Sequence, residues 1–439
     1  MFKLPQLQTF LDKSSVSSRW SQSARGGLLG PPRKMQKTGL DLTTSRDSLN
    51  MAGCAIDHTD PGGIKCEAVP TIWSSFVDAF VDASAMGSVG KRNLRGLPAS
   101  KLPAPERLVA IGDLHGDLRK ARRAFRLAGV VDEKDRWIGG KTVVVQVGDV
   151  LDRGDQELQI FHMLERLQHQ ARKAGGDVHV LNGNHETINV EGRFTYATPG
   201  SKSQFDRWMA WHEVGKKLKK KCRGALVERN DSSPIFPPHV PPHFKSRYAA
   251  LRPGGPASTR FFGTNPTVLQ VGSTVFVHGG LLPGHVDYGL DRINKETSEW
   301  IQGKSGPQGP AFTRGRNAVV WLREFSLPKV EPDCRLLQEV LGKIPGAERM
   351  VVGHTIQFPL GVTGACNNRV IRVDVGMSSG CYDAQPEVIE IRNDEEVRIL
   401  SEERKPELLD SSSRKGGVQK ANAEKRTFMD IVRESMRTA

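Results

Sequence analysis

The sequence predicts an α/β domain in which helices flank layers of β-sheet, and two observations support this prediction. From residue 108 onward, short apolar runs rich in β-branched residues alternate with longer segments of helical periodicity, as in layered α/β folds. Several of the apolar runs are followed at once by a short block rich in Asp, Asn, His and Gly. Because the strands of such a sheet end on a common edge, we expect these blocks to converge in one crevice at the carboxyl ends of the strands.

The elements follow in chain order. Apolar runs predict strands at 108–111, 142–147, 178–181, 349–352 and 370–373. Helical spacing predicts helices at 118–130 and 156–174, which end beside Gly129 and Gly175, and glycine is the usual stop signal of a helix. Residues 267–277 predict a hairpin around Gly272, and 387–391 with 397–400 predict a closing hairpin.

The flanking segments differ from this domain in composition. Residues 1–40 carry seven Lys or Arg against a single acid, with interleaved serines, which fits either a transit peptide or an ordinary disordered basic leader. Apolar residues recur at helical spacing from Ile72 to Val81. We therefore expect a disordered leader over 1–70, a docking helix and linker over 71–104, the main domain over 105–400 and a flexible charged tail over 401–439.

A basic, proline-rich insertion near 200–260 interrupts the main domain and includes five lysines between 216 and 221. We do not expect it to contribute to the core. The whole chain has a formal charge of +14 at pH 7, which favours acidic or phosphorylated partners. A nucleic-acid partner is a weak hypothesis, because no aromatic platform or known reader motif accompanies the lysines, and a solvated charge run is their commonest explanation.

Cysteine usage and hydropathy exclude two classes of protein. The six cysteines contain no CxxC pair, so neither a zinc ribbon nor a dense disulfide framework is indicated, and a reducing compartment is the default. No run of about eighteen apolar residues occurs, so we expect no membrane-spanning segment.

Five polar blocks carry the candidate chemistry: GDLHGD at 112–117, GDVLDRGD at 148–155, GNHE at 183–186, VHGG at 277–280 and GHT at 353–355. An isolated Asp or His is usually a surface or core residue, but five such blocks at strand ends indicate a site. Carboxylate, imidazole and amide oxygen together suit Mn, Fe or Zn in an open geometry, whereas a closed structural zinc site would need thiolates. A two-metal site needs a bridging carboxylate, for which Asp149 is the natural candidate.

These blocks resemble the signature of the phosphoprotein phosphatases within the calcineurin-like metallophosphoesterases, over residues 105–400. The stretches VVQVGDVLDRGD, NGNHETINVEGRF, FVHGGLLPGHVDYGLDRIN, VVWLREF and VDVGMSSGC further resemble the plant type of the Shewanella-like protein phosphatases. The resemblance implies a calcineurin-like β-sandwich flanked by helices, with the active site at the carboxyl ends of the strands. It also implies a metal-dependent serine/threonine phosphatase that acts on phosphoproteins.

The resemblance implies roles for individual residues. The first metal would be held by Asp113, His115 and Asp149, and the second by Asp149, Asn184, His278 and His354. The nucleophile would be a metal-bridging hydroxide, because a metal lowers the pKa of bound water from about 15.7 toward 7. His185 would protonate the leaving alcohol, a contribution of about a hundred to ten thousand fold, and Asp152 would orient its imidazole. Arg153 would bind phosphate as a planar bidentate donor, with an exposed salt bridge as the alternative.

Two features depart from the eukaryotic members of the family. No shared motif identifies the second phosphate-binding arginine; Arg323 is our candidate, with a core-capping role as the alternative, and Asn184 is counted as a further phosphate contact. The SAPNYC stretch that contacts okadaic acid and microcystin in the eukaryotic phosphatases has no counterpart here, since VDVGMSSGCYDAQPE occupies its place. The sequence therefore predicts insensitivity to both toxins.

Other hypotheses remain open. A dinucleoside polyphosphate hydrolase uses the same fold and similar ligands, although GNHE and the intact DRG favour a protein phosphatase. A phosphoprotein-binding module without catalysis would be expected to lack a ligand, and every candidate position is filled. We expect two divalent ions, Mn²⁺ first with Fe or Zn as alternatives. TIWSSFVDAFVDASAMG resembles the cytosolic plant subgroup, which predicts a cytoplasmic location, and the leader leaves a mitochondrial or plastid location as the alternative.

Overall fold

The computed structural model describes residues 96–97, 99–209, 236–403 and 405–409. The basic leader, the docking helix, the lysine run at 216–221 and most of the tail lie outside these residues. The expectations made for those segments, and the location that depends on the leader, therefore stay predictions.

The described part of the domain contains two six-stranded sheets. In spatial order the first sheet consists of β1 (Lys101–Leu102), β5 (Val268–Val271), β6 (Thr274–Val277), β7 (Arg349–Val352), β9 (Val370–Arg372) and β8 (Thr363–Ala365). The second consists of β12 (Glu407–Leu408), β11 (Glu396–Ser401), β10 (Glu387–Arg392), β2 (Arg107–Ile111), β3 (Val143–Gln146) and β4 (Asp177–Val180). Strands β2, β3 and β4 run parallel, as do β6, β7 and β9. Each parallel set therefore ends on one edge of its sheet.

The alternation of side chains along the first sheet explains the layered architecture. Leu269 and Phe276 belong to the apolar core that also contains Val109 of the second sheet. Their neighbours Val268 and Val275 point to the opposite face and belong to a separate core, as expected from the two-residue period of a strand. One face of the first sheet thus packs against the second sheet, and the other is covered by helices. The predicted helix-flanked β-sandwich is confirmed.

The helices cover these sheets. Those whose bounds lie within the described residues are α1 (Leu118–Leu127), α2 (Glu157–Lys173), α3 (Asn184–Val190), α4 (Lys245–Leu251), α5 (Pro256–Phe261), α6 (Pro283–Tyr288), α7 (Leu290–Ile301) and α8 (Cys334–Gly342). The first two match the predicted helices to within a few residues, and both predicted hairpins are present. Asp117 is the N-cap of α1, and its side chain accepts a hydrogen bond from the Lys120 N–H.

The expectation that the insertion near 200–260 would stay outside the core is wrong for its described residues. Phe205 and Leu251 are fully buried in the main apolar core, and Arg247 is fully buried beside them. Apolar residues are spread thinly among proline and basic residues here, so average composition concealed helices of only six and seven residues, α5 and α4.

The expected start of the flexible tail at residue 401 is also wrong. Strand β12 pairs with β11, and Leu409 packs against the main core. The charged composition after residue 400 hid this short strand, because two paired residues produce no visible alternation. The folded domain therefore extends at least to Leu409.

Among the described cysteines, Cys334 and Cys366 form a disulfide, which links the start of α8 to the turn between β8 and β9. The cysteine spacing alone did not indicate this pair, because the residues lie 32 positions apart in sequence. Cys381 is free. Among the described helices, none has the length and apolar character required to cross a bilayer.

Candidate metal centre and active site

Four strands deliver the candidate metal ligands to one place. Asp113 and His115 follow β2, Asp149 follows β3, His278 follows β6 and His354 follows β7. Asn184 opens helix α3, just after β4. The sequence blocks predicted to converge are therefore brought together: each parallel set ends on one edge of its sheet, and the two edges adjoin, since a Cβ at Gly353, after β7, would clash with Asp113, after β2.

Asp149 lies at the centre of this cluster. Its Oδ2 is 3.8 Å from His115 Nε2 and 3.1 Å from His278 Nε2. His278 Nε2 is in turn 2.9 Å from Asn184 Oδ1. Two groups of potential metal-binding atoms share Asp149, one with His115 and His185 and one with His278 and His354, each spanning no more than 4.8 Å. A carboxylate between two such groups fits the bridging position of a two-metal site.

The turns that hold these ligands have unusual backbone conformations. Positive φ angles occur at His115, Asp149 and His354, at 43°, 56° and 65°. Non-glycine residues rarely adopt this region, and they concentrate at functional sites. Close approach also demands glycine: a Cβ at Gly183 would lie 2.2 Å from Asp149 Oδ1, and one at Gly353 would lie 2.4 Å from Asp113 Oδ1. The glycines of GNHE and GHT therefore make room for the carboxylates.

Backbone carbonyls orient the imidazoles. The Nδ1 atoms of His115 and His278 lie 3.0 Å and 2.9 Å from the carbonyl oxygens of Leu151 and Val147. An Nδ1–H donated to a carbonyl leaves Nε2 free to bind a metal. Burial lowers the pKa of His115 to about 3. A neutral imidazole is the form that a metal requires.

The carboxylates fit a bound cation. Burial raises the pKa of Asp113 well above its usual range, and the nearby charges of Asp374 and Asp149 raise it further. Burial also raises the pKa of Asp374 to about 6, and its Oδ2 has no hydrogen-bond partner among the described residues. Buried carboxylates this close together need positive charge, so divalent ions suit the site. Sequence reasoning missed Asp374, although it follows β9 just as the other acidic residues follow their strands.

Glu186 holds two of these turns together. Its carboxylate accepts hydrogen bonds from four backbone N–H groups, those of Gly183, Asp149, Val150 and Leu151. The last residue of GNHE thereby fixes the GDVLD turn that carries Asp149. The motif suggested no such role for Glu186, because its partners come from another strand end.

His185 and Asp152 form the predicted pair. His185 Nδ1 is 2.7 Å from Asp152 Oδ2, and both residues are buried. Burial by itself would lower the pKa of His185, but the charge of Asp149 and the contact with Asp152 raise it above its ordinary value. The contact with Asp152 therefore holds the imidazole in one orientation and leaves Nε2 available to carry a proton, as a proton donor requires.

Asp152 is fixed by residues that the sequence did not single out. Asn189 Nδ2 donates to its Oδ2 at 2.8 Å, and Arg247 Nη2 donates to its Oδ1 at 3.0 Å. Arg247 also donates to both carboxylate oxygens of Glu157, at 2.7 Å and 2.8 Å. Nothing in the local sequence marks Arg247, since Asp152 and Glu157 lie 95 and 90 residues away along the chain.

The two candidate arginines contact different parts of the cluster. The Arg153 guanidinium lies over the Tyr196 ring at 5.0 Å, and that ring is also 5.0 Å from the His185 ring. Arg323 Nη1 donates to the His354 carbonyl at 3.1 Å and to Thr355 Oγ1 at 2.9 Å. Burial lowers the pKa of Arg323, and the nearby carboxylates oppose this effect. Both arginines thus border the site, and their phosphate-binding role stays a prediction.

Comparison with known proteins identifies the class and then the family. Residues 106–358 match the family model of the calcineurin-like phosphoesterases, so the fold and the site belong to a metal-dependent phosphatase of this class. Shewanella-like protein phosphatase 2 of Arabidopsis thaliana is 49% identical over 354 residues, which cover 78% of this chain and 90% of that protein. The chain therefore belongs to the Shewanella-like protein phosphatases, and the predicted enzyme class and its phosphoprotein substrates are confirmed at this level.

Two more distant matches are also phosphatases by name. Shewanella-like protein phosphatase 1 of Plasmodium berghei is 28% identical and covers 68% of this chain and 76% of that protein. The cold-active protein tyrosine phosphatase of a psychrophilic Shewanella species aligns with a TM-score of 0.53 at 19% identity, covering 76% of this chain and 90% of that chain. At this identity the structural likeness establishes the fold alone.

Metal binding can be tested without any substrate. We expect Mn²⁺ to raise the melting temperature of the metal-stripped protein, because ions would neutralise buried carboxylates; binding at a hundred times Kd is worth about 2.7 kcal/mol. Asp149→Asn should remove most of this rise, since Asp149 is shared by both candidate groups. Asp287→Asn is the matched control, because that carboxylate is exposed and pairs with Lys343 on the surface. An equal rise in wild type and Asp149→Asn would contradict the assignment.

Proposed function

We propose that this phosphatase hydrolyses phosphoserine and phosphothreonine esters in proteins. The observation that carries the proposal is the buried His185–Asp152 pair beside Asp149, with Nδ1 to Oδ2 at 2.7 Å. A serine or threonine alkoxide is a poor leaving group and needs a positioned acid, whereas a phenol, with a pKa of about 10, needs one far less. A protonated imidazole held by a carboxylate therefore suits the alcohol esters.

The proposed roles follow from the positions of these side chains in the cluster. The proposed metal ligands are Asp113, His115 and Asp149 for one ion and Asp149, Asn184, His278 and His354 for the other. When bound, the two divalent ions, Mn²⁺ first with Fe or Zn as alternatives, would supply hydroxide near neutral pH and neutralise charge on the phosphoryl oxygens. His185 holds its proton on Nε2 for the leaving oxygen, while Nδ1 donates to Asp152. Arg153 and Arg323 would bind the phosphoryl oxygens, with Asn184 as a further contact.

The loop that replaces the toxin-binding stretch packs against the proposed phosphate site. A Cβ at Gly380 would lie 1.8 Å from the Arg153 carbonyl oxygen. Nearby, the Tyr382 ring stacks on Phe358 with centroids 5.0 Å apart. Because this loop differs in sequence from the stretch that binds okadaic acid and microcystin, we propose that neither toxin inhibits the enzyme.

One experiment tests the proposal. The metal-stripped protein, refilled with Mn²⁺, is given phosphoserine, phosphothreonine and phosphotyrosine peptides and diadenosine tetraphosphate, with and without microcystin or okadaic acid. We expect turnover of the serine and threonine peptides that both toxins leave unchanged, at concentrations that abolish the activity of a eukaryotic serine/threonine phosphatase assayed alongside. Turnover of the tyrosine peptide alone or of the nucleotide alone, or no turnover, would refute the proposed function, and toxin inhibition would refute the loop assignment.

A further inference from the structure

A groove of about 840 Å³ opens beside the active site. Phe194, Phe244, Arg193, Arg314, His239 and Thr195 contribute to its lining. The volume is within the range of a binding site for a drug-sized ligand or a few side chains. None of the roles assigned above uses this groove.

The groove is joined to the catalytic cluster through a continuous stretch of chain. Thr195 lines the groove, and the next residue, Tyr196, contacts both Arg153 and His185 through its ring. Consecutive Cα atoms are about 3.8 Å apart. A chain bound at Arg153 through its phosphorylated residue would therefore meet the groove with the residues that flank it.

The wall of the groove is attached to the helix that carries His185. Glu191, the C-cap residue of α3, presents its carbonyl to His239 Nε2 at 3.0 Å. The rings of Phe194 and Phe244 are 5.2 Å apart, and Phe194 packs on a small apolar cluster. The apolar part of the groove is thus preformed and held at a set position relative to His185.

One arginine of the groove, Arg314, has no acidic partner among the described residues. Arg193 is paired with Glu191. Arg314 forms no ion pair within the part of the chain that the structure describes, and its buried Nε has no hydrogen-bond partner there. A buried donor without a partner costs free energy, and an acidic ligand group would satisfy it.

We propose that this groove binds the polypeptide that flanks the phosphorylated residue of the substrate, with an acidic side chain paired to Arg314 and an apolar side chain against Phe194 and Phe244. This inference rests on the proposed function, because it takes a phosphoprotein as the substrate. The enzyme would accordingly prefer phosphorylation sites that have an acidic residue at one fixed position nearby.

A peptide series tests the preference. Phosphoserine peptides carry a single Asp at each position from three before to three after the phosphoserine, and kcat/KM is compared with p-nitrophenyl phosphate, which is too small to fill the groove. We expect Asp at one position to raise kcat/KM about tenfold, as for a hydrogen bond to a charged group. Arg314→Ala should abolish this increase and leave p-nitrophenyl phosphate turnover unchanged. Arg316→Ala, which removes an exposed arginine two residues away, is the matched control and should preserve it.

A charge reversal at Arg314 and a phosphopeptide-binding assay separate the groove assignment from the proposed function. Arg314→Glu should prefer Lys over Asp at the same position. Binding of a fluorescent phosphopeptide to the His185→Asn protein is measured in parallel. Arg314-dependent binding without hydrolysis of any peptide would refute the proposed function and leave the groove assignment standing. An Asp effect that survives Arg314→Ala, or no effect and no Arg314-dependent binding, would overturn the groove assignment. A loss of diadenosine tetraphosphate turnover in Arg314→Ala with peptide binding intact would overturn it as well.

Discussion

His185→Asn is expected to lower kcat for a phosphoserine peptide by about a hundred to ten thousand fold. The asparagine amide can still donate to Asp152 and fill similar space, but it carries no proton to transfer to the leaving oxygen. The contact that makes the proton available is the His185 Nδ1 to Asp152 Oδ2 distance of 2.7 Å. Steady-state kinetics on the Mn²⁺-loaded enzyme measure the loss.

The leaving group separates a proton donor from a residue that merely shapes the site. p-Nitrophenolate leaves without protonation, so His185→Asn should slow p-nitrophenyl phosphate far less than the phosphoserine peptide. His169→Asn is the matched control, because His169 lies on the exposed face of α2, and it should behave as wild type. Equal losses on both substrates would show that His185 does not act as the proton donor.

Arg247→Met is expected to lower the free energy of unfolding by about 3–5 kcal/mol. Arg247 is fully buried and pairs with Asp152 at 3.0 Å and with Glu157 at 2.7 Å. Methionine preserves much of the volume but leaves the buried Glu157 carboxylate without its counter-charge and leaves Asp152 with His185 as its charged partner. Denaturant titration measures the change. Lys245→Met removes an exposed cation on the same helix, one that lies over the Phe236 ring. This substitution should lower the free energy of unfolding by no more than about 1 kcal/mol.

The same substitution tests Arg247 as a positioning residue for His185. Loss of Arg247 removes the donor that holds Asp152 Oδ1, so Asp152 is less firmly fixed and kcat should fall at temperatures where the variant stays folded. If Arg247 acts through His185, the kcat of Arg247→Met combined with His185→Asn should equal that of His185→Asn alone. Arg247→Lys keeps the charge but not the forked geometry, and it should give an intermediate kcat if Arg247→Met is too unstable to assay. Normal kcat in a folded Arg247→Met protein would show that Arg247 serves stability only.

Much of the fold could be predicted because its signals are local. The strands from β2 to β4 are short apolar runs, and α1 and α2 are long enough for helical periodicity to emerge. The helices that were missed are mostly short, such as α4 and α5 with seven and six residues. An isolated helix of that length is unstable, so its formation depends on packing that the local sequence does not display.

The residues of the site also divide into those with a local sequence signal and those without one. Asp113, Asp149, His185 and the other motif residues were singled out because each stands in a polar, glycine-flanked block at a strand end. Asp374 stands in a similar position after β9 and could have been found by the same rule. Arg247 could not, because its partners belong to distant segments and its own neighbours in sequence are ordinary helix residues.

The sequence by itself determined the class of fold, the family, and the set of side chains available for metal and phosphate chemistry, because strand patterns, turn glycines and ligand types are properties of a few adjacent residues. The tertiary structure alone decided that Arg247 buttresses Asp152, that Glu186 ties two turns together, that Cys334 meets Cys366, and that a groove with Arg314 opens beside Tyr196. The physical reason is separation along the chain: burial and ion pairing join residues that are far apart in sequence, and only the packed sheets bring them within contact distance.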